Sequence, residues 1–153
     1  MKLSKNFNLN ELTRSQTAIR RGIDNTPSLT VIDNLQALVD NVLQVIRDAH
    51  GPTVVTSGFR SEAINAAVGG SNTSHHTRGM AADFTVVGKP NKEICEWIRD
   101  NLKFTQLIWE FPTKENPQAG WVHVAYDPKD LKCQVLTATK VNGRTVYTPG
   151  LVL

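Results

Sequence analysis

The sequence predicts an α+β fold, a single domain with a mainly antiparallel sheet and flanking helices. The chain has 153 residues, which is the usual size of one domain with its own core. Apolar residues before residue 50 recur at helical spacing, whereas the later chain contains several short β-branched and aromatic segments separated by turn residues. Early helices followed by strands with a helix between them are typical of α+β domains.

The first helix is predicted near the N-terminus. Asn8 precedes Glu11 by three residues, the spacing of a capping residue and its glutamate, and the helix is expected to run toward Ser15 or Ala18. Residues 20–27 are predicted to form a loop.

A long helix is predicted from Ser28 to His50. Its apolar residues lie three to four positions apart, and they are Val31, Ile32, Leu35, Leu38, Val39, Val42, Ile46 and Ala49. Gly51 and Pro52 end the helix, because glycine accepts a left-handed cap and proline cannot continue the hydrogen-bond ladder. We interpret His50 as a structural residue at the helix C-terminus, where a cation suits the helix dipole.

Short strands and helices follow in alternation. Strands are predicted at Thr53 to Thr56, Ala81 to Val87, Gln106 to Glu110 and Trp121 to Tyr126. Helices are predicted at Ser61 to Val68 and from Pro90 to Leu102. Asn142-Gly143 is a strong hairpin signal between strands at Gln134 to Val141 and Arg144 to Tyr147. Residues 127–153 are therefore predicted to form a C-terminal hairpin and tail, to which we assign no role.

Three predicted strands each place one ionisable side chain among apolar neighbours: Asp83, Glu110 and His123. Burying any of them alone is costly. A shared divalent cation would offset this cost for Asp83 and His123, and His76 from a polar loop would complete three protein ligands. Two imidazoles and a carboxylate suit Zn²⁺, and three ligands leave a fourth position for water, as in catalytic sites. Glu110 could then take a proton from that water, although spacing alone does not fix the ligand set.

Four segments resemble the signature of one protein family. Residues 74–83, Ser-His-His-Thr-Arg-Gly-Met-Ala-Ala-Asp, fit the spacing S-x-H-x-x-G-x-A-x-D. This pattern is similar to that of the zinc D-Ala-D-Ala carboxypeptidase and L-alanyl-D-glutamate endopeptidase family of peptidoglycan peptidases. Residues 57–61, 106–110 and 121–123 resemble the family's S-G-[YF]-R, Q-L-I-[YW]-E and W-[VI]-H segments, in that order. The resemblance covers roughly Phe7 to Tyr126 and includes segments typical of the phage and prophage variant.

This resemblance implies a role for each matched residue. The implied ligands of one catalytic zinc ion are His76, Asp83 and His123. Glu110 would be the general base, and Arg60 would hold a substrate carboxylate or the developing oxyanion, a task suited to a fixed and always charged fork. Ser74 would support substrate binding with a hydrogen bond. Residues 1–153 would form one zinc peptidase domain with the hedgehog/DD-peptidase fold, and it would hydrolyse peptidoglycan stem peptides as a carboxypeptidase or as an endolysin-like endopeptidase.

Plainer interpretations stand beside this one. The motif spacing favours His76 over the adjacent His75, which would lie at the pocket rim or in solvent. Asp83 and Arg60 could instead be partners in a structural salt bridge. The alternative function is a non-catalytic, zinc-stabilised module that binds cell wall, suggested by the net charge of +3. Glu110 and the open zinc position argue against that module, and no motif for binding nucleic acid is present.

Composition and the N-terminal residues give expectations about location. No apolar run approaches the roughly 20 residues that span a bilayer, so membrane insertion is not expected. Residues 1–10 lack the features of a secretory signal, so we expect a cytoplasmic protein, of phage or prophage origin, that reaches the wall after release by another protein. Cys95 and Cys133 match no metal or redox motif and are predicted to be free, buried thiols. A monomer is expected.

Overall fold

The computed structural model describes all 153 residues. Its α-helices are α1 (Leu9–Thr13), α2 (Gln16–Arg21), α3 (Leu29–Leu38), α4 (Gln44–His50), α5 (Glu62–Ala67) and α6 (Asn91–Asn101). Its strands are β1 (Thr53–Ser57), β2 (Ala81–Val86), β3 (Gln106–Glu110), β4 (Trp121–Ala125), β5 (Gln134–Val141) and β6 (Arg144–Pro149). A π-helical segment (Val39–Leu43) joins α3 to α4, and a 3₁₀ helix (His75–Arg78) precedes β2. The predicted α+β architecture is confirmed.

The N-terminal region contains two short helices where the sequence analysis predicted one. Asn8 caps α1 with its side chain, as expected. The Ser15 hydroxyl then accepts a hydrogen bond from the backbone three residues ahead and starts α2. Because α2 continues to Arg21 and ends at Gly22, which has a φ of 64°, the loop predicted over residues 20–27 begins two residues too early.

The long predicted helix is confirmed as one helical stretch made of α3, the π-helical segment and α4. The Ser28 side chain caps its start, and Gly51, with a φ of 101°, follows its end. Its apolar stripe is fully buried at Leu35, Leu38, Val39, Val42, Leu43 and Ile46. Burial of this stripe against the sheet anchors the helical layer.

All six strands belong to one sheet in the order β1-β2-β4-β3-β5-β6. Neighbouring strands are antiparallel except for β3 and β5, which are parallel. The hairpin predicted at Asn142-Gly143 joins β5 to β6, and the φ angles of these two residues, 51° and 77°, are those that a two-residue turn requires. The sheet is therefore mainly antiparallel, as predicted.

The two faces of the sheet have different surroundings. One face packs on the helices and carries buried apolar side chains such as Phe84, Trp109 and Val122. Side chains alternate between faces along a strand, so the residues next to these point to the opposite face. That opposite face carries the three ionisable strand residues, whose backbones pair in adjacent strands β2, β4 and β3.

Both cysteines are free, but only one is buried. Burial of Cys95 on α6 raises the pKa of its thiol, with a smaller contribution from the charge of Glu96. Cys133 is exposed, so the prediction of a buried thiol is wrong there, because this residue lies in the loop before β5 with a φ of 53°. None of the helices has both the length and the apolar character that crossing a membrane requires.

Candidate metal centre

Three buried side chains from three different elements converge beside the sheet. Asp83 on β2 pairs with His123 on β4, so their side chains lie next to each other on one face. His76 reaches them from the 3₁₀ helix. Asp83 Oδ1 lies 2.9 Å from His123 Nδ1 and 3.4 Å from His76 Nε2. One ligand atom from each residue lies within 4.8 Å of the others, close enough for all three to hold one metal ion.

The His76 ring is oriented by a backbone carbonyl. Its Nδ1 lies 2.7 Å from the carbonyl oxygen of Gly58, which can only accept a hydrogen bond. Nδ1 therefore carries a proton, and Nε2 is the ring nitrogen that faces the cluster, the orientation in which metal-binding histidines are usually held. The backbone N–H of Arg60 donates to the His76 carbonyl oxygen, at 3.1 Å. This is a second hydrogen bond between the 3₁₀ helix and the segment of residues 58–60.

Asp83 is ionised in this environment. Burial alone raises the pKa of its carboxyl, but the charge of His76 and the hydrogen bond from His123 outweigh burial and hold this pKa well below its ordinary value of 3.8. A buried carboxylate with two imidazole nitrogens around it is an anionic ligand available at neutral pH.

Glu110 stands at the end of β3, next to this cluster. Its Oε1 lies 3.9 Å from His123 Nδ1, and its side chain is 15% exposed. Burial, together with the negative charge of Asp83, raises the pKa of Glu110 to about 7, against the smaller opposing effects of His123 and Arg60. In the metal-free protein, Glu110 can therefore take up and release a proton near neutral pH.

A cleft of about 870 Å³ opens over the cluster. Its wall includes both histidines and both carboxylates of the centre, and pockets of this volume commonly hold small ligands. The cleft gives a ligand access to the cluster from the solvent side of the sheet.

The family model of peptidase M15 matches residues 5–125, most of the chain. The chain belongs to the peptidase M15 family. The family resemblance inferred from the sequence motifs is thereby confirmed, and M15 peptidases are zinc-dependent. No curated protein matches the chain.

The cluster fits the zinc ion of an M15 peptidase. Two imidazole nitrogens and a carboxylate oxygen are ligands that zinc prefers, and one of the imidazoles is oriented by a backbone carbonyl as such ligands usually are. The residues brought together are the three that the motif spacing selected. His75 lies outside the cluster and lines the cleft, which is the position expected for the neighbour that does not bind metal.

Arg60 lines the same cleft of this M15 peptidase without an ion-pair partner. Burial lowers the pKa of its guanidinium, while the charges of Asp83 and Glu110 partly offset this effect. Its buried Nε has no hydrogen-bond partner within the protein, and no carboxylate oxygen lies within 4.0 Å of its side chain nitrogens. The structural salt bridge to Asp83 is therefore not formed, and the guanidinium is left available to a ligand.

Ser74 also lines the cleft, but its hydroxyl already has a local role. It caps the 3₁₀ helix by accepting a hydrogen bond from the backbone N–H of His76, at 3.2 Å. Ser74 thus positions the candidate metal ligand His76. A contact between Ser74 and substrate stays a prediction.

The sequence does not predict one wall of the cleft. The hairpin of β5 and β6, beyond the family match, contributes Gln134, Leu136, Lys140, Thr145 and Tyr147 to the wall. The sequence signal for the hairpin itself was clear, but nothing in it indicates that β5 pairs with β3 and so brings these side chains beside Glu110.

Proposed function

We propose that the protein is a zinc peptidase that hydrolyses amide bonds in peptidoglycan stem peptides, at D-Ala-D-Ala or at L-Ala-D-Glu. One observation carries the catalytic part of this proposal: Glu110 Oε1 lies 3.9 Å from His123 Nδ1, beside the His76, Asp83 and His123 cluster. Peptidoglycan as substrate rests on the motifs that resemble the wall peptidases of the family.

Glu110 is assigned the proton transfers of the reaction. When bound, zinc lowers the pKa of a water molecule and polarises a carbonyl group. The Glu110 carboxylate accepts a proton from the attacking water at Oε1 and then donates it to the leaving amine. In the metal-free protein, burial and the charge of Asp83 raise the pKa of Glu110 to about 7, so its carboxyl gains and loses a proton near neutral pH.

Arg60 is assigned the binding of negative charge. Its guanidinium lines the cleft without a carboxylate partner, so it can hold a substrate carboxylate or the oxygen that becomes negative as the amide is attacked. Asp83 and Glu110 lie near enough to influence its pKa, which places its charge close to the reacting groups.

The alternative of a non-catalytic wall-binding module is less well supported. A module that only binds needs no half-buried carboxylate beside the metal ligands, and burying Glu110 there has an energetic cost that its raised pKa reflects. The module would sediment with cell walls and leave them chemically unchanged. The phage or prophage origin and a cytoplasmic location before release stay predictions.

Mass spectrometry of wall digests tests the proposal. Purified, zinc-loaded protein is incubated with peptidoglycan and with the soluble muropeptides derived from it. Loss of a terminal D-Ala identifies a carboxypeptidase, whereas release of the stem from L-Ala identifies an endopeptidase. Unchanged muropeptides after incubation with zinc-loaded protein would contradict the proposed function.

Glu110→Gln supplies the matched control, because it keeps the size of the side chain and removes its ability to take a proton. We expect zinc content to be unchanged and kcat to fall by about 10² to 10⁴, the usual contribution of a general base. Wild-type activity in this variant would remove Glu110 from the mechanism.

A further inference from the structure

The C-terminal hairpin extends the site face of the sheet. In the parallel pairing of β3 with β5, Ala138 lies opposite Glu110, and in the pairing of β5 with β6 Tyr147 lies opposite Ala138. Residues two apart along a strand share a face, so Lys140 on β5 and its partner Thr145 on β6 also point to the cleft side. The hairpin therefore forms a second wall beside the candidate centre.

Lys140 is held in this wall without a counter-charge. Its Nζ donates a hydrogen bond to Thr145 Oγ1, at 3.0 Å, and lies 5.3 Å from the ring centre of Phe111. No carboxylate oxygen lies within 4.0 Å of Nζ. An ammonium group has three N–H donors, so two of them have no partner within the protein. A tethered cation with free donors in a cleft is suited to bind an anion.

The position of Lys140 relates it to the reacting centre. Lys140 lies one strand across from Glu110 and two residues further along, which corresponds to about 8 Å between their Cα atoms. Two residues of extended peptide span a similar length, roughly 7 Å. Lys140 is exposed, and no carboxylate of the protein lies within 4.0 Å of its Nζ, so its free donors are open to a carboxylate of a ligand.

We propose that Lys140, held by Thr145 and Phe111, binds a carboxylate of the peptide substrate that lies within about two residues of the bond that is cut. This inference rests on the proposed function and adds a specificity site to it. The hairpin lies beyond residue 125, so this subsite is outside the segment that the family model matches.

Direct binding tests the subsite without requiring cleavage. The probe is the peptide L-Ala-D-Glu-L-Lys-D-Ala-D-Ala, with two matched peptides that are amidated at the D-Glu carboxylate or at the C-terminus. Affinities are measured by calorimetry for zinc-loaded Glu110→Gln and for the same protein with Lys140→Met added. Lys89→Met, an exposed lysine outside the cleft, provides a control with the same loss of charge.

We expect one of the two amidations to weaken binding about 10-fold, as loss of a charge-assisted hydrogen bond does. Lys140→Met should weaken binding of the unmodified peptide by the same factor, and in this variant that amidation should no longer change the affinity. Lys140→Arg should retain the affinity, and Lys89→Met should leave it unchanged. The amidation that matters identifies which carboxylate is bound. Equal affinities for all three peptides, no binding, or an amidation effect that survives Lys140→Met would overturn the proposal.

Cleavage by the wild-type protein is measured separately with the same peptides. Lys140-dependent binding without cleavage of any bond would retain the subsite and contradict the proposed function. Cleavage with no dependence of binding on Lys140 would retain the function and reject the subsite.

Discussion

Asp83 and Glu110 are carboxylic acids on the same face of the sheet, yet the fold moves their pKa values in opposite directions. Burial acts on both, but two imidazoles more than offset it at Asp83, while at Glu110 it acts together with the negative charge of Asp83. The result is one carboxylate that stays ionised beside two imidazoles and one that can exchange a proton near neutral pH. Separation of this kind is how two acids in one site acquire different roles.

The raised pKa of Glu110 predicts a pH-dependent cost to the metal-free fold. The pKa is about 7 in the folded protein and about 4.5 in the unfolded chain, so the folded state binds this proton more tightly. Stability therefore falls as pH rises from about 4.5 to 7 and stays lower above that range. A rise of the pKa from 4.5 to about 7 corresponds to roughly 3 kcal/mol. Glutamine cannot ionise, so metal-free Glu110→Gln should melt about 6 to 12 °C above wild type at pH 8 and much closer to it at pH 5. Calorimetry at the two pH values checks this, and a difference that does not change with pH would contradict it.

Gly120 is a second residue on which the site depends. Its φ is 83°, and a Cβ built on it would lie 1.7 Å from the carbonyl oxygen of Glu110. Gly88 has a similar φ of 73° with nothing within 4 Å, so Gly88→Ala reports the backbone strain alone. Gly120→Ala should lower activity at least 10-fold more than Gly88→Ala and lower Tm further, because the end of β3 has to move. Equal effects in kinetic and melting assays would show that the contact does not matter.

The residues of the candidate centre are conspicuous in the sequence. Asp83 and His123 each interrupt an apolar strand, and the spacing to the 74–83 motif then selected His76 over His75. Lys140 had no such signal, since a lysine near a predicted turn is ordinary on a protein surface. Its place in the cleft depends on the parallel pairing of β3 with β5, which no local pattern encodes.

At the scale of elements, Asn25 joins three segments around the candidate site. Its Nδ2 donates to the carbonyl oxygens of Thr13 and Phe59, and its Oδ1 accepts from the backbone N–H of Ser61. The last two bonds hold the backbone on both sides of Arg60. Asn25 therefore holds the loop that carries Arg60 on the side away from the cleft. On the cleft side, His76 holds the same loop through hydrogen bonds to the backbone of Gly58 and Arg60.

Asn25→Ala should release this loop. Three hydrogen bonds of a half-buried side chain are lost, so we expect a loss of stability of about 1 to 3 kcal/mol and a fall in kcat/KM of at least 10-fold, with zinc content unchanged. Asn101→Ala removes one exposed hydrogen bond at the end of α6 and serves as the control. Chemical denaturation and kinetics measure both effects, and an Asn25 variant that matches the control would contradict the assigned role.

The elements differ in how well the sequence predicts them. The long helix ending at His50 and the hairpin at Asn142-Gly143 follow from strong local signals and are confirmed. The break between α1 and α2 depends on one competing cap at Ser15, and the 3₁₀ helix that carries His76 lies in what is otherwise a polar loop. Short elements of this kind are decided by single hydrogen bonds and by tertiary contacts, which periodicity does not show.

At the scale of the molecule, the sheet separates a helix-packed core from a face that carries charge. The apolar face packs against α3, α4 and α6, while the opposite face holds the candidate metal centre and the cleft. The candidate ligands come from β2, β4 and the 3₁₀ helix, so they meet only when the sheet has formed. Metal binding and folding are therefore coupled.

Zinc should stabilise the whole molecule. Free zinc at about 1,000 times its dissociation constant increases the free energy of unfolding by about 4 kcal/mol. This increase raises Tm by about 8 to 16 °C for a chain of this size. Chelation with EDTA should reverse the shift, His123→Ala should abolish it, and His75→Ala should keep it. Calorimetry of the three proteins with and without zinc is the measurement, and a shift that survives in His123→Ala would place the metal elsewhere.

A crystal structure of the zinc-loaded protein, with anomalous diffraction recorded at the zinc edge, would show whether His76, Asp83 and His123 bind one zinc ion. We expect one strong peak per chain, about 2.0 to 2.2 Å from His76 Nε2, Asp83 Oδ1 and His123 Nδ1, with the Glu110 carboxylate beside it. A peak bound by His75, a peak at another site, or no peak in the cleft would contradict it.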